Sequence, residues 1–481
     1  MSVDETIRAH EPALPDEWEL VVGLEVHCEL HTATKLFCGC PNLFGDEPNT
    51  NVCPVCLGLP GSLPVINERA VELAMTLGRA LGCAVQGSIF ARKNYFYPDM
   101  PKDYQVTQYD QPTNVEGSLE LPDGTVIRIE RAHIEEDTGK STHIGGDGRI
   151  SSASHSLVDY NRAGVPLVEI VSGPDIATID QAKAYVTELR DILLATGTSD
   201  AKMEEGSMRV DANVSVRPRG SDELRTRCEI KNVNSVRSIG RAIEYEAKRH
   251  IGLYEAGDAP RQETRHWDEA GGRTRSGRSK EDADDYRYFA EPDLLPVVPT
   301  PEAIAAIDAA MPTLPAARRR RLVELGVEAA DAALVVERGD DDYAIGVVDA
   351  GAPAGAVAKH LANNLVEGPG ALGAEAFAAL IAREAGGEVS SNQARALLAH
   401  LAEHGGDVAS AMDALGFESV DTSELETLVD GLIAEHPDEW ARFREGDAKI
   451  GGFFVGKVMK ATRGQADGKV VNDLLRQRAD A

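Results

Sequence analysis

The sequence contains no uninterrupted apolar run of about 18 residues, the minimum for a membrane-spanning helix, so no transmembrane segment is expected. Its first residues, Met1 to Glu19, are polar and acidic and lack the basic-then-apolar order of a signal peptide, which makes the cytoplasm the expected compartment. Basic residues are in short supply. The 481 residues carry 49 Lys and Arg against 79 Asp and Glu, a formal charge of −30, and Lys is scarce beside Arg. Such a balance speaks to solubility rather than fold and fits a chain adapted to high salt. It also means that the average field repels RNA, so any RNA binding needs local basic patches. In molar salt the Debye length falls to about 3 Å, counterion release weakens, and shape, stacking and hydrogen bonds carry more of the affinity.

Several enzyme signatures are also missing. Gly139-Lys140-Ser141-Thr142 resembles the end of a phosphate-binding P-loop, but Ile134 stands where the first glycine belongs, which excludes that class. No H-E-x-x-H and no G-x-S-x-G occurs, so zinc-protease and serine-hydrolase readings have no support. Repeat arrays and low-complexity tracts are absent too.

What is present reads as a globular protein of roughly three domains, with ordinary hydrophobic (42%) and charged (27%) fractions. Val22, Leu24, Val26, Cys28 and Leu30 alternate with Glu25, His27 and Glu29. Met208, Val210, Ala212, Val214 and Val216 alternate with Arg209, Asp211, Asn213, Ser215 and Arg217. A period of two predicts strands with one apolar and one polar face. Helical periodicity covers Glu68 to Leu81, Asp180 to Ala195 and Ser238 to His250, and strands with a minority of helices predict an α+β domain over 18–297. A cluster of Pro292, Pro296, Pro299 and Pro301 marks a boundary. Beyond it the composition turns Ala-rich and helix-favouring, with a basic helix start at Arg318 to Arg321. Gly405-Gly406 suggests a hinge, and Ser423 with Glu426 has capping-box spacing. Two small all-helical domains, 298–406 and 407–481, are therefore expected.

Four of the seven cysteines are bunched as Cys38-Gly-Cys40 and Cys53-Pro-Val-Cys56. Two tight thiol pairs joined by a short loop can fill the four tetrahedral corners that structural zinc requires. Reduced thiols without metal and a redox Cys-X-X-Cys are the alternatives, the second disfavoured by the companion pair. Cys28, Cys83 and Cys228 read as small buried hydrophobes.

Acids recur beside a base or an amide in Glu25–Glu29, in His133–Lys140, in Asp159–Arg162 with Glu169, in Glu204–Asn213, and in Glu229–Asn232. In so acidic a chain any one of these segments is adequately explained as a solvated face. Their recurrence, interrupted by His27, Asn213 and Asn232, suggests instead a hard-oxygen site for magnesium, with phosphate oxygens as its other ligands and Lys or Arg alongside.

Taken together, Val22–Leu30, Arg92–Asp99, Gln105–Pro112, Glu135–His143, Asp159–Arg162, Met203–Ser207, Asp285–Phe289 with Glu291-Pro-Asp293, and Gly452–Lys460 closely resemble the B-subunit family of tRNA-dependent amidotransferases over nearly the whole chain. The resemblance implies a cradle-shaped antiparallel-sheet domain akin to the glutamine synthetase and guanidino kinase fold. It implies ATP- and Mg2+-dependent phosphorylation of the side-chain carboxylate of Asp-tRNA(Asn) or Glu-tRNA(Gln), followed by amidation with glutamine-derived ammonia. By position in the motifs it implies a metal site at Glu25, His27, Glu136, Glu169, Asp211 and Glu229. Glu25, His27 and Glu136 would also be catalytic, with Arg162, Arg209 and Lys231 on phosphate or carboxylate. The cysteine quartet resembles the zinc-bearing branch. Lys457, Lys460, Arg463 and Lys469 in the tail are implied tRNA contacts, although a solvated helix face explains them almost as well. No Gly-Gly-Ser-Ser-Gly-Gly-like amidase run occurs, so an amidase A subunit and a small C subunit are the implied partners. The related archaeal subunit carries an inserted domain for which Glu291-Pro-Asp293, leading directly into the helical region, leaves no room. From other classes, a zinc-stabilised tRNA-binding module and a scaffold for an amidase remain as rivals.

Overall fold

The computed structural model of the chain describes residues 14–145, 153–277, 286–417, 422–445, 447–462 and 468–480. It divides into two compact units, 1–316 and 317–481. None of the described helices is long and apolar enough to cross a membrane.

The first unit is built on one large sheet. Its strands are β1 (Trp18–Glu29), β2 (Ala84–Val85), β3 (Ala91–Asn94), β4 (Tyr104–Thr107), β5 (Asn114–Glu120) and β6 (Val126–Glu136), with β7 (Lys140–Ile144) and β8 (His155–Asp159) forming a separate hairpin. β9 (Pro166–Ser172), β10 (Met208–Pro218), β11 (Cys228–Val233), β12 (Thr264–Asp268), β13 (Arg273–Ser276) and β14 (Phe289–Ala290) complete it. The order along the sheet is β13-β12-β11-β10-β1-β9-β6-β4-β3-β14, with β5 pairing β6 and β2. The described pairings are antiparallel except β11 with β12.

The alternation read in β1 and β10 sets which face is which. Val22, Leu24, Val26, Cys28 and Leu30 are buried, as are Met208, Val210, Ala212, Val214 and Val216. Helices α1 (Glu68–Ala80), α2 (Ile179–Ala195) and α3 (Val236–Glu255) belong to the same core cluster through Leu73, Leu77, Leu189, Ile239 and Ile243. Each helix begins on a side-chain cap. Asn67 accepts from the N–H groups of Arg69 and Ala70, Thr178 from Gln181, and Ser235 from Ser238, satisfying donors that a helix start otherwise leaves orphaned. With the helices on one side, the polar residues of β1, β6, β9, β10 and β11 line the other.

Two irregularities tune that polar face. Between Ile129 and Arg131 the register of β6 against β9 slips by one residue. Ile127 and Ile129 face the core before the slip, and Ala132 and Ile134 after it. β11 carries an extra residue against β10, where Ala212 pairs with Ile230 but Val210 with Val233. Asn232 lies in this bulge at a φ of 67°, a left-handed conformation that Asn tolerates better than most residues, and its amide donates to the Trp267 carbonyl.

The second unit is helical. One core gathers Leu322, Val335, Val357, Leu361, Phe377, Leu397 and Leu401 from helices between Pro315–Glu324 and Val408–Leu415. A separate core of Leu425, Val429, Phe454, Val458, Val471 and Leu475 unites helices Thr422–Glu435, Ala448–Ala461 and Gly468–Asp480. Helix Ser391–His404 starts on a complete capping box of Ser390 and Gln393 and ends at Gly405 and Gly406, whose φ values of 70° and 94° suit glycine. The side chain of Ser423, and with it the predicted Ser423/Glu426 box, lies outside the described residues.

Candidate metal and phosphate site

Residues directly opposite one another on neighbouring strands share a face. His27 on β1 stands opposite Glu169 on β9 and Arg209 on β10, and Glu169 stands opposite His133 on β6. The His27 Nε2 lies 3.4 Å from Glu169 Oε2 and 3.6 Å from Glu135 Oε1. The His133 Nε2 is 3.7 Å from Glu169 Oε2, and Arg131 Nη2 is 3.6 Å from Glu169 Oε1. One ligand atom each from His27, Glu135 and Glu169 lies within 4.8 Å of the other two, close enough to share one cation.

Electrostatics follow from this crowding. Burial works to lower the His27 pKa, but its hydrogen bond to Glu169 and the charges of Glu135, Glu169 and Asp211 prevail and raise it to about 9. Burial, then the neighbouring Glu169 charge, pushes Glu135 up to about 7. Glu169 is itself held well below the carboxylate range, because the hydrogen bond from His27 and the charges of His133, His27 and Arg131 outweigh burial. Burial keeps His133 down at about 4, and its Nδ1 has no hydrogen-bond partner among the described residues.

Other predicted residues flank this cluster. Lys231 Nζ lies 2.8 Å from Asp211 Oδ2 and 3.1 Å from Glu229 Oε1, so those three converge at the β10–β11 bulge. Glu25 accepts from Asn213 Nδ2 at 2.9 Å, and burial, with the charges of Glu169 and Glu229, raises its pKa. Arg209 Nη2 donates to Asp137 Oδ2 at 2.7 Å, and Arg162 Nε lies 3.3 Å from the same oxygen. Asp137 is thus a buried post that aims two guanidinium groups.

The structure does not bring Glu136 to these residues. Successive side chains on a strand point to opposite faces. Glu136 is buried away from His27, paired with Lys102 and accepting from the Val106 N–H at 2.8 Å. Its neighbour Glu135 stands in the cluster instead. Asp159 and Asn161 also serve elsewhere. They accept from the backbone N–H groups of Asn49 and Asn51 and so tie down the loop that carries the cysteines.

In that loop the Sγ atoms of Cys38, Cys40, Cys53 and Cys56 lie within 4.8 Å of one another, with Cys53 and Cys56 Sγ 3.9 Å apart. Four thiols in this space fit the donor set and size of a closed zinc site. The Cys56 thiol is drawn down, chiefly by a hydrogen bond from Cys38 and, against burial, by the Cys53 N–H and the Lys35 charge. A third group, Cys228, Glu246 and His250, is as tight but differs in chemistry. Glu246 accepts from Arg249 and Thr274, with Arg265 Nε 3.3 Å away. Guanidinium groups hold the positions that a cation would take, which makes it a buried ion network.

In the tail, Lys457 and Lys460 are exposed on helix Ala448–Ala461, with Lys457 Nζ 5.4 Å above the Phe453 ring. Arg463 and the Lys469 side chain lie outside the described residues.

Comparison with known proteins gives consistent matches. Residues 20–305 match a family described as "GatB/GatE catalytic domain", and residues 355–478 match one described as "GatB domain". A protein of Clavibacter michiganensis is 48% identical across 100% of this chain and 99% of its own length. A protein of Nocardia farcinica is 49% identical over 95% of each chain, and one of Salinispora arenicola 47% over 99% of each. All three carry the name of the B subunit of an aspartyl/glutamyl-tRNA(Asn/Gln) amidotransferase.

Proposed function

The chain belongs to the family of aspartyl/glutamyl-tRNA(Asn/Gln) amidotransferase B subunits, and from that premise we propose that its polar sheet face activates the side-chain carboxylate of Asp-tRNA(Asn) or Glu-tRNA(Gln) with ATP and passes it to ammonia. The His27–Glu135–Glu169 cluster carries this reading, because it offers two carboxylates and an imidazole close enough together to share one cation. These residues would hold magnesium, which when bound neutralises phosphate charge and polarises the phosphoryl group.

The chain's own residues do the rest. Phosphoryl transfer depends mainly on positioning and charge neutralisation. Arg209 and Arg162, fixed by Asp137, present planar donors suited to a carboxylate or phosphate. Lys231, fixed between Asp211 and Glu229, presents a point charge at the other side of the cluster. A substrate carboxylate oxygen attacks the γ-phosphorus, the bond to the leaving ADP breaks, and an acyl phosphate forms. Ammonia then attacks the acyl carbon, inorganic phosphate departs with the bonding electrons, and the nitrogen loses a proton to give the amide.

Around this centre we assign the cradle a glutamine synthetase-like architecture and the cysteine quartet a structural zinc. The helical regions, Lys457 and Lys460 among them, contact the tRNA body. An amidase A subunit and a small C subunit supply ammonia, and the complex works in the cytoplasm, adapted to high salt. The test is amide formation on both mischarged tRNAs by the assembled three-subunit complex, with ammonia as donor. ATP-dependent amide and stoichiometric ADP are expected. Partner binding without any ATP-dependent amide would make the chain a scaffold or a tRNA-binding module.

A further inference from the structure

Aromatic residues make up only 5% of the sequence, yet their distribution is uneven. Two neighbouring segments, Tyr95–Tyr97 and Tyr109, and a distant one, Tyr286–Tyr288, bring tyrosines together at the β3 and β4 side of the sheet. The Tyr109 and Tyr288 rings stack with centroids 4.9 Å apart and planes 12° apart. Tyr286 meets Tyr288 edge-on at 6.0 Å, and Tyr95 packs on Tyr97 at 4.7 Å. Asn94 joins the two groups, its amide donating to the Tyr286 carbonyl at 2.7 Å. A hydrophobic core does not account for the cluster, because Tyr97 and Tyr109 are each 50% exposed and Phe96 is 76% exposed.

Cations sit beside these rings. Lys93 Nζ lies 4.8 Å from the Tyr286 centroid and Arg131 Cζ lies 5.6 Å from that of Tyr109. Through its Nη2 the same Arg131 reaches Glu169 of the cation cluster at 3.6 Å. The tyrosines therefore form a path leading from open surface to the reacting centre. Between Tyr286 and Tyr288, Arg287 holds a φ of 45°, a conformation that non-glycine residues adopt rarely and that collects at functional sites.

Aromatic faces interleaved with Lys and Arg are how proteins hold unpaired nucleotides. In a chain of charge −30, long-range attraction for RNA is absent, and stacking supplies affinity that the average field denies. We propose that the Tyr109–Tyr288 stack and its neighbours Tyr97 and Tyr286 are a stacking platform for the unpaired nucleotides at the 3′ end of the tRNA, positioning the aminoacyl group over the cation cluster. This rests on the function proposed above and adds to it a set of positioning residues.

The test uses the assembled three-subunit complex, ammonia as donor and the variants Tyr109→Ala, Tyr288→Ala, Tyr109→Phe and Tyr288→Phe, measuring kcat and KM separately for aminoacyl-tRNA and for ATP. The alanine variants should raise KM for aminoacyl-tRNA about tenfold, the scale of one lost base stack, and leave KM for ATP unchanged. The phenylalanine variants, which keep the ring, should behave as wild type. A short single-stranded RNA with the tRNA 3′ sequence should inhibit wild type and the phenylalanine variants, and inhibit the alanine variants less. The platform is overturned if KM for aminoacyl-tRNA and inhibition by the RNA do not change in the alanine variants. A rise in KM for ATP alone would overturn it too, by assigning the rings to the nucleotide's adenine. So would phenylalanine variants as impaired as the alanine ones, which would make the hydroxyls, not stacking, responsible. Inactivity of the wild-type complex on both tRNAs would count against the function itself, which separates the two failures.

Discussion

Two ligand clusters in this molecule are built in opposite ways. The cysteine quartet comes from one stretch, Cys38 to Cys56, whose spacing already dictates its chemistry. The His27–Glu135–Glu169 cluster comes from β1, β6 and β9, and no local spacing announces it. The first needs only a loop, pinned by Asp159 and Asn161. The second exists only when three strands pair in one register, because a one-residue slip moves every side chain to the other face. A local site can therefore be lost without the sheet, whereas the distant site is a property of the sheet itself.

The largest expected effect that separates them is on activity. Glu169→Ala should cut ATP-dependent amidation at least about 100-fold, beyond the loss typical of groups that only support a ligand, with the protein still folded by circular dichroism. Activity near wild type would remove Glu169 from the chemistry. Next comes a stability effect at the third cluster, where Arg replaces a cation. The Glu246 carboxyl is held well below its ordinary value because hydrogen bonds from His250 and Arg249 and their charges outweigh burial, the largest opposing influence. A depressed carboxylate pKa contributes stability above the unfolded-state value, near 4.5, and that contribution is lost as pH falls below it toward the folded-state pKa. Glu246→Gln should cost about 3–5 kcal/mol at neutral pH by removing the buried carboxylate that Arg249 and Arg265 share, leaving them only Glu263. It should also flatten the acid limb of a Tm-versus-pH curve. An unaltered acid limb would contradict the network. A smaller effect is expected at the quartet. Cys53→Ser should abolish zinc content by metal analysis and lower Tm by roughly 5–10 °C. Unchanged zinc content would show that the metal is held elsewhere.

The same contrast explains what can be read from sequence. The alternation of β1 and β10, the cysteine quartet and the helices read over 68–81, 180–195 and 238–250 are local patterns and legible as such, although the third helix runs on from Val236 to Glu255. His27 and Glu169 are reached by resemblance rather than by geometry. The resemblance implies Glu136 by its position in the motif, whereas the structure places Glu135 beside His27 and Glu169. The slip between Ile129 and Arg131 reverses the inward parity of β6, so odd-numbered residues face the core before it and the polar face after it. Glu135 therefore shares the polar face with His133, and Glu136 does not. Asn232 likewise reads as a break in an acidic face, whereas its left-handed backbone shows that it serves the β11 bulge. The tyrosine path has no common period to announce it, and only its members' places in the runs Arg92–Asp99, Gln105–Pro112 and Asp285–Phe289 connect them in the sequence.

The proposed chemistry requires one cation shared by side chains from separate strands, and the pair of adjacent acids tests it most directly. Mn2+ binding, followed by electron paramagnetic resonance in the assembled complex with a non-hydrolysable ATP analogue, should be compared for Glu135→Gln and Glu136→Gln. The account predicts that the first weakens binding by about tenfold or more and that the second leaves it at the wild-type level. Equal affinity in the two variants, or a loss only with Glu136→Gln, would contradict it.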